Sequence, residues 1–333
     1  ERLYAADSLP DARVSRMSAL LSTPCSTAKD AGQDMILPEF SEYFQGEARM
    51  HLLSILELSL AEDGPDLTTE GVFGPGDRLQ AIIVAKEQTI IAGLPVIPLV
   101  MDLCAAHPEE LSYTWQSLAK EGEEVAKGSI VARISGPARQ VLRAERVILN
   151  FVSHLCGIAN LTRRYAEKLE GTGVRLLDTR KTMPGLRYPD KYAVLCGGGH
   201  NHRRNLAEML MLKDNHIDAA GSMTKAVELL RGRYNPCPPI EVECRNLDEI
   251  SEAVACRVDR IMLDNMTPDM LPEALEMIPS FIETEISGGV SLDTIRAYAT
   301  VSTVRKPDFI SVGRITHSAV TADLSMRIAK ESL

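Results

Sequence analysis

Long apolar runs are missing from this chain. No stretch approaches the roughly 20 uninterrupted apolar residues a membrane-crossing helix needs, so no bilayer span is expected. The seven cysteines (Cys25, Cys104, Cys156, Cys196, Cys237, Cys244 and Cys256) include no CxxC pair and form no even framework. That excludes a disulfide scaffold and argues against a clustered structural zinc site. Reduced thiols acting as small apolar fillers in a cytoplasmic protein are the expectation. The first 37 residues, rich in Ser, Ala, Pro and Asp, lack the basic start and apolar stretch of a secretion signal. A loosely ordered extension is expected there. Positive charge is also short: 36 Lys+Arg stand against 46 Asp+Glu, a net charge of −10. Such global acidity excludes a general binder of nucleic acid or of anionic membranes.

With 45% hydrophobic and 25% charged residues, the 333-residue chain reads as a soluble globular protein of about two domains. Its charge is uneven. Between Arg139 and Lys213 lie 14 basic and 6 acidic residues, a local +8, so the remaining 258 residues carry −18. A basic middle inside an acidic protein suits a pocket for a small, multiply anionic ligand.

Periodicity divides the chain. Leu52, Leu53, Leu56 and Leu60 recur at helical spacing, and Glu62-Asp63-Gly64-Pro65 stops that helix. Strands are expected at 79–86, 89–92, 111–118 and 129–134, with a helix at 98–104. Gly136-Pro137 marks the edge of a first domain spanning 38–137. A mostly helical connection, broken near Gly157, is expected over 138–170. From 171 to 325 short apolar strands (174–177, 207–212, 240–242, 260–263, 282–286 and 309–312) alternate with helical patterns. This is the rhythm of a (β/α) barrel with six strands rather than eight, hence open or incomplete. Residues 326–333 are left as a tail. Chemistry in such a barrel collects where strands end, which brings Asp178, Lys213, Glu243, Asp264, Ser287 and Gly313 to one mouth.

The strongest local signal is Asp178-Thr-Arg-Lys-Thr-Met-Pro-Gly-Leu-Arg187, followed by Gly197-Gly-Gly-His-Asn-His-Arg-Arg204 and Lys213-Asp-Asn-His216. Strand ends and glycine loops thereby deliver Arg180, Lys181, His202, Arg203 and Lys213 to one place. A guanidinium clamps a carboxylate or phosphate through paired hydrogen bonds, whereas lysine is a mobile point charge. The competing reading, a solvated cationic helix face, is weakened because these cations follow strands and loops. Glu243 and Asp264, at neighbouring strand ends, suit sugar hydroxyls, water-bridged Mg²⁺ or acid–base work, and pairing with the pocket cations is a fourth reading. Ser287-Gly-Gly289 and Ser311-Val-Gly313 expose backbone amides suited to a phosphate monoester.

These motifs, with Glu62-Asp-Gly-Pro-Asp-Leu-Thr-Thr69, Ala92-Gly-Leu94, Ala144-Glu-Arg-Val-Ile-Leu-Asn150, Glu241-Val-Glu243, Leu263-Asp-Asn-Met266 and Thr316-His317-Ser318, resemble the quinolinate phosphoribosyltransferases of NAD synthesis over about Phe40 to Ser325. The resemblance implies a small N-terminal α/β sandwich domain packed on an open (β/α) barrel. It implies a head-to-tail homodimer, with higher assemblies in some members. The implied reaction takes quinolinate and phosphoribosyl pyrophosphate to nicotinate mononucleotide, pyrophosphate and CO₂.

Carried over residue by residue, the resemblance places Arg146 in the active site of the partner subunit. Arg180, His202, Arg203 and Lys213 would bind the quinolinate carboxylates, with Lys181 close to both substrates. Glu243 and Asp264 would hold the ribose and, through water, the Mg²⁺ of phosphoribosyl pyrophosphate. Ser287, Gly288, Gly289, Gly313 and His317 would lie at its 5′-phosphate. Cys156 stands where serine is common, Asn160 replaces a usual threonine, and 301–306 is longer than the common turn, which bears on packing and assembly. The nearest alternative reaction is transfer to nicotinate without decarboxylation. A carrier module is disfavoured because the turn at Gly122 to Gly128 lacks a methionine-flanked lysine.

Overall fold

The computed structural model describes residues 37–105, 112–301 and 303–329. All but the last residue of the expected extension, together with Cys25 and the start of the strand expected at 111, lie outside the described residues. Helix Gly46–Asp63 buries Ala48, Leu52, Leu56 and Leu60 as one stripe. The Asp66 side chain then caps helix Leu67–Val72, accepting the Thr69 N–H at 2.9 Å.

The first layer contains β1 (Arg78–Ala85), β2 (Thr89–Ile90), β3 (Thr114–Ser117), β4 (Glu124–Val125) and β5 (Ile130–Pro137). β1 pairs antiparallel with β5, and β5 with β3, while β2 and β4 form a separate ribbon. Helices Gly46–Asp63 and Val96–Cys104 pack on the long helix Ala138–Leu169, which itself lies against β1, β2 and β5. The Ala92-Gly-Leu94 motif is structural: Glu121 accepts the Gly93 and Leu94 N–H groups at 2.6 and 3.0 Å. Asn160 and Cys156 dock the same segment on the long helix. Asn160 Oδ1 accepts the Ile90 N–H at 2.6 Å and Cys156 Sγ accepts that of Ala92 at 3.3 Å.

The second layer is a parallel sheet of β6 (Arg175–Leu177), β7 (Leu210–Leu212), β8 (Ile240–Cys244), β9 (Arg260–Asp264), β10 (Glu283–Ser287) and β11 (Phe309–Ser311), in the order β6-β11-β10-β9-β8-β7. The six strands match the expected six. Because β6 and β7 are consecutive in the chain yet stand at opposite ends, the barrel is open between them. Alternation along the strands puts Glu241 and Glu243 on one face, with Arg260, Met262 and Asp264, and with Glu283, Glu285 and Ser287, on the same side of their strands.

Two expectations change. The final strand β12 (Leu324–Ile328) pairs antiparallel with β1, so the segment read as barrel end and tail returns to the first layer. The helix 138–169 is continuous through Gly157. A single glycine costs a buried helix about 1 kcal/mol, which packing readily overrides. Here the glycine is needed for close approach: a Cβ on it would stand 2.2 Å from the Val320 carbonyl oxygen. The chain crosses the helix at that point on its way to β12, with the Ala322 N–H donating to the Ser153 carbonyl at 2.9 Å.

Gly157→Ala should therefore destabilise the protein by about 1–3 kcal/mol in urea unfolding, as overpacking does. A gain in stability, the usual outcome of Gly→Ala on an open helix face, would show that the crossing is not close.

Candidate active site

Asp178, one residue beyond β6, is fully buried. It pairs with the equally buried Lys191 of helix Arg187–Cys196 and accepts the His202 N–H and the Asn201 side-chain N–H, each at 2.8 Å. Lys191 also donates to the His202 carbonyl at 2.9 Å. Burial pushes the carboxyl up and the ammonium down, and the pairing opposes both shifts. One carboxylate thus ties a strand end to a helix and to the segment carrying Arg203. A second tie holds the loop 179–186: buried Asp190 accepts the Met183 N–H at 3.1 Å and meets His154 Nε2 of the long helix at 2.7 Å.

On this frame the expected cations gather. Arg203 donates to the Met209 carbonyl at 2.8 Å. Its pKa is depressed, first by burial and then by the charge of Arg180. The Nε atoms of Arg180 and Arg203 are buried without a hydrogen-bond partner, and neither side chain has an ion-pair partner among the described residues. Two neighbouring guanidinium groups with unsatisfied donors call for an anion. Arg203 also borders a cavity of about 530 Å³ that continues past Leu210 and Leu230 on the open side of β7. A second cavity of about 430 Å³ lies on the first-layer sheet around Gln80, Trp115 and Arg133, away from the strand ends.

The other half of the mouth holds the carboxylates. Lys213 is bonded to Glu243, so a cation expected for one substrate abuts a carboxylate expected for the other. Asp264 is raised, first by burial and next by the charge of Glu243, with Lys213 and Lys181 lowering it. Ser287 stands level with Asp264 in the register of β10 and β9. Gly288 adopts φ +91°, and a Cβ there would stand 2.2 Å from Asn265 Oδ1, so only glycine fits. Lys181 Cδ and His317 Cδ2 lie 3.1 and 3.5 Å from where a Cβ on Gly313 would stand. The Thr316 hydroxyl donates to the Lys181 carbonyl at 2.7 Å, locking that loop to the last strand end.

Two expected residues are placed apart from this cluster. Arg146 is exposed on the long helix, and no hydrogen bond or ion pair joins it to the mouth among the described residues. His202 is turned into the barrel, only 6% exposed, with Nε2 3.0 Å from Glu241 and 3.4 Å from Glu285. Both carboxyls are fully buried and pushed up to about 7, in each case first by burial. Reading the strands as apolar missed these two glutamates and Lys191. The signal for the glutamates is period two, since each lies two residues before a mouth residue, Glu243 or Ser287.

Two family models match the chain: "Quinolinate phosphoribosyl transferase, N-terminal domain" over residues 66–156, and the corresponding C-terminal domain over 158–327. The chain is 42% identical over 280 residues to a probable nicotinate-nucleotide pyrophosphorylase (carboxylating) of Synechocystis, covering 83% of this chain and 92% of the relative. It is 38% identical over 263 residues to the protein of that description in Bacillus subtilis, covering 79% and 88%. The crystal structure of NadC from Streptococcus pyogenes superposes with a TM-score of 0.77 at 37% identity, covering 84% of this chain and 98% of that one.

The buried pair under the site is testable apart from any relative. Lys191→Met leaves Asp178 uncompensated and should lower the unfolding free energy by about 3–5 kcal/mol. A loss below about 1 kcal/mol would mean that the pair does not hold the frame.

Proposed function

The chain belongs to the quinolinate phosphoribosyltransferase family, whose decarboxylating transfer it performs in NAD biosynthesis, and from that premise we propose how its strand-end cluster carries out the reaction. The observation that carries the reading is that Arg180 and Arg203, near enough for the charge of one to act on the other, have orphaned donors and no ion-pair partner among the described residues. Quinolinate is a dianion, and this pair with Lys213 meets its carboxylates. His202 lies beneath them instead of in contact. Lys181, between Gly313 and the acidic side, borders both substrates.

Glu243 and Asp264 face the ribose of phosphoribosyl pyrophosphate. Amides of Ser287, Gly288, Gly289 and Gly313, with His317 beside them, receive its 5′-phosphate. The pyridine nitrogen needs no base. It attacks the anomeric carbon as pyrophosphate leaves, and positive charge developing on the ribose is favoured by the two carboxylates. The alkylated ring is cationic, so loss of the adjacent carboxylate as CO₂ leaves its electron pair beside that positive centre. Protonation at this carbon gives nicotinate mononucleotide.

Magnesium fits the hard oxygen donors Glu243 and Asp264, held through water, since two neighbouring carboxylates repel and a cation relieves them. Bound there, it supplies charge neutralisation to the pyrophosphate leaving group. Arg146 is exposed and without an ion-pair partner among the described residues, which suits a homodimer in which it enters the partner's site. No helix among the described residues is long and apolar enough to cross a membrane. Four of the six described cysteines are buried, which suits the reducing cytoplasm.

Incubation with quinolinate, phosphoribosyl pyrophosphate and Mg²⁺ should yield nicotinate mononucleotide and CO₂ in equal amounts; turnover of nicotinate in place of quinolinate would reverse the assignment. Arg180→Ala should raise the KM for quinolinate by at least about tenfold, or about 1.4 kcal/mol, with little change in thermal stability. Glu243→Ala should instead impair use of phosphoribosyl pyrophosphate, and normal kinetics with that substrate would remove its role.

A further inference from the structure

We propose that His202, Glu241 and Glu285 form a positioning triad that holds Arg203 for the dicarboxylate substrate, so that two buried glutamates without contact to any substrate govern its capture. The inference rests on the reading of Arg203 as a quinolinate ligand. His202 Nδ1 accepts the N–H of Arg203 at 2.6 Å. A neutral imidazole that accepts at one nitrogen carries its proton on the other. Nε2 therefore presents an N–H, and the oxygens facing it are Glu241 Oε2 at 3.0 Å and Glu285 Oε2 at 3.4 Å.

His202 Nε2, both Glu241 oxygens and Glu285 Oε1 are buried with no hydrogen-bond partner among the described residues, and the three side chains meet at ion-pair distance. An orphaned buried polar group costs about 1–3 kcal/mol, so each of the three is favoured where it lies close to the others. Glu285 is anchored in turn by Arg260 at 3.4 Å, whose guanidinium stacks on Phe309 at 4.4 Å from the ring centre. At its far end Arg203 is held by the Met209 carbonyl. Fixed at its amide and at its tip, the arginine keeps its buried Nε for a ligand, and a preorganised donor binds more tightly than a mobile one.

The same three residues could be taken for a cation site, since their ligand atoms lie within 4.8 Å of one another. Two observations oppose that. Arg260 already brings positive charge to the carboxylates, and acceptance at Nδ1 leaves Nε2 protonated, without a lone pair for a metal.

The test uses the full-length enzyme and four variants. Glu241→Leu and Glu285→Leu keep volume and remove an acceptor, Glu241→Gln keeps an acceptor and removes the charge, and Arg203→Ala removes the guanidinium. The leucine variants should raise the KM for quinolinate about tenfold, with the KM for phosphoribosyl pyrophosphate and kcat within about threefold of the parent. Glu241→Gln should stay within about threefold on all three. If a leucine variant does not fold, the other and the glutamine variant carry the test. The triad is overturned by folded leucine variants with an unchanged quinolinate KM, by losses shared between both substrates, or by a glutamine variant as impaired as leucine. Stoichiometric metal in the purified parent would overturn it as well. Should Arg203→Ala itself leave the quinolinate KM unchanged, the parent reading of Arg203 fails; should it raise that KM while the leucine variants do not, only the triad does.

Discussion

A carboxylate sealed from water, Asp178, fixes the geometry on which the site depends. Burying an ion costs several kcal/mol unless its oxygens are fully bonded. Here they are bonded by Lys191, Asn201 and the His202 amide, which come from a helix and from the segment after it. Satisfying one side chain therefore locks three pieces of backbone. Arg180 follows Asp178 by two residues and Arg203 follows His202 by one, so both inherit positions set by that pairing. Two like charges repel, and the buried ion pair holds the backbones that carry them.

The open barrel extends this into layers of charge along its strands. Arg260 and Glu283 are paired at the lower end, Glu241 and Glu285 lie buried in the middle with His202 between them, and Glu243, Asp264 and Ser287 stand at the mouth. Positive and negative groups are balanced at the lower end. At the mouth the balance stops on one side, where Arg180 and Arg203 have no ion-pair partner among the described residues. The acidity of the protein and its basic middle are thus parts of one arrangement.

Much of this is legible in the sequence, for identifiable reasons. A polar residue closing a short apolar run marks a strand end, and Lys213, Glu243 and Asp264 all obey that rule and meet in space. The strands of the barrel and the helix 46–63 follow from period. What stays hidden depends on partners far along the chain. Gly157 looks like a helix break because its neighbour, Val320, lies more than 160 residues away. β12 looks like a tail because its pairing with β1 spans most of the protein. His202 sits in a motif with exposed cations, and nothing local shows that its ring turns inward. Cys156 and Asn160 dock the first layer on the long helix and leave the mouth untouched.

The central claim is that a pair of cations lacking acidic partners recognises a second carboxylate on the pyridine ring. Equilibrium binding of quinolinate and of nicotinate to the same protein, at matched ionic strength, tests it without catalysis. Quinolinate should bind at least about tenfold more tightly, with the difference shrinking as salt is raised. Equal affinity for the two ligands would contradict the account.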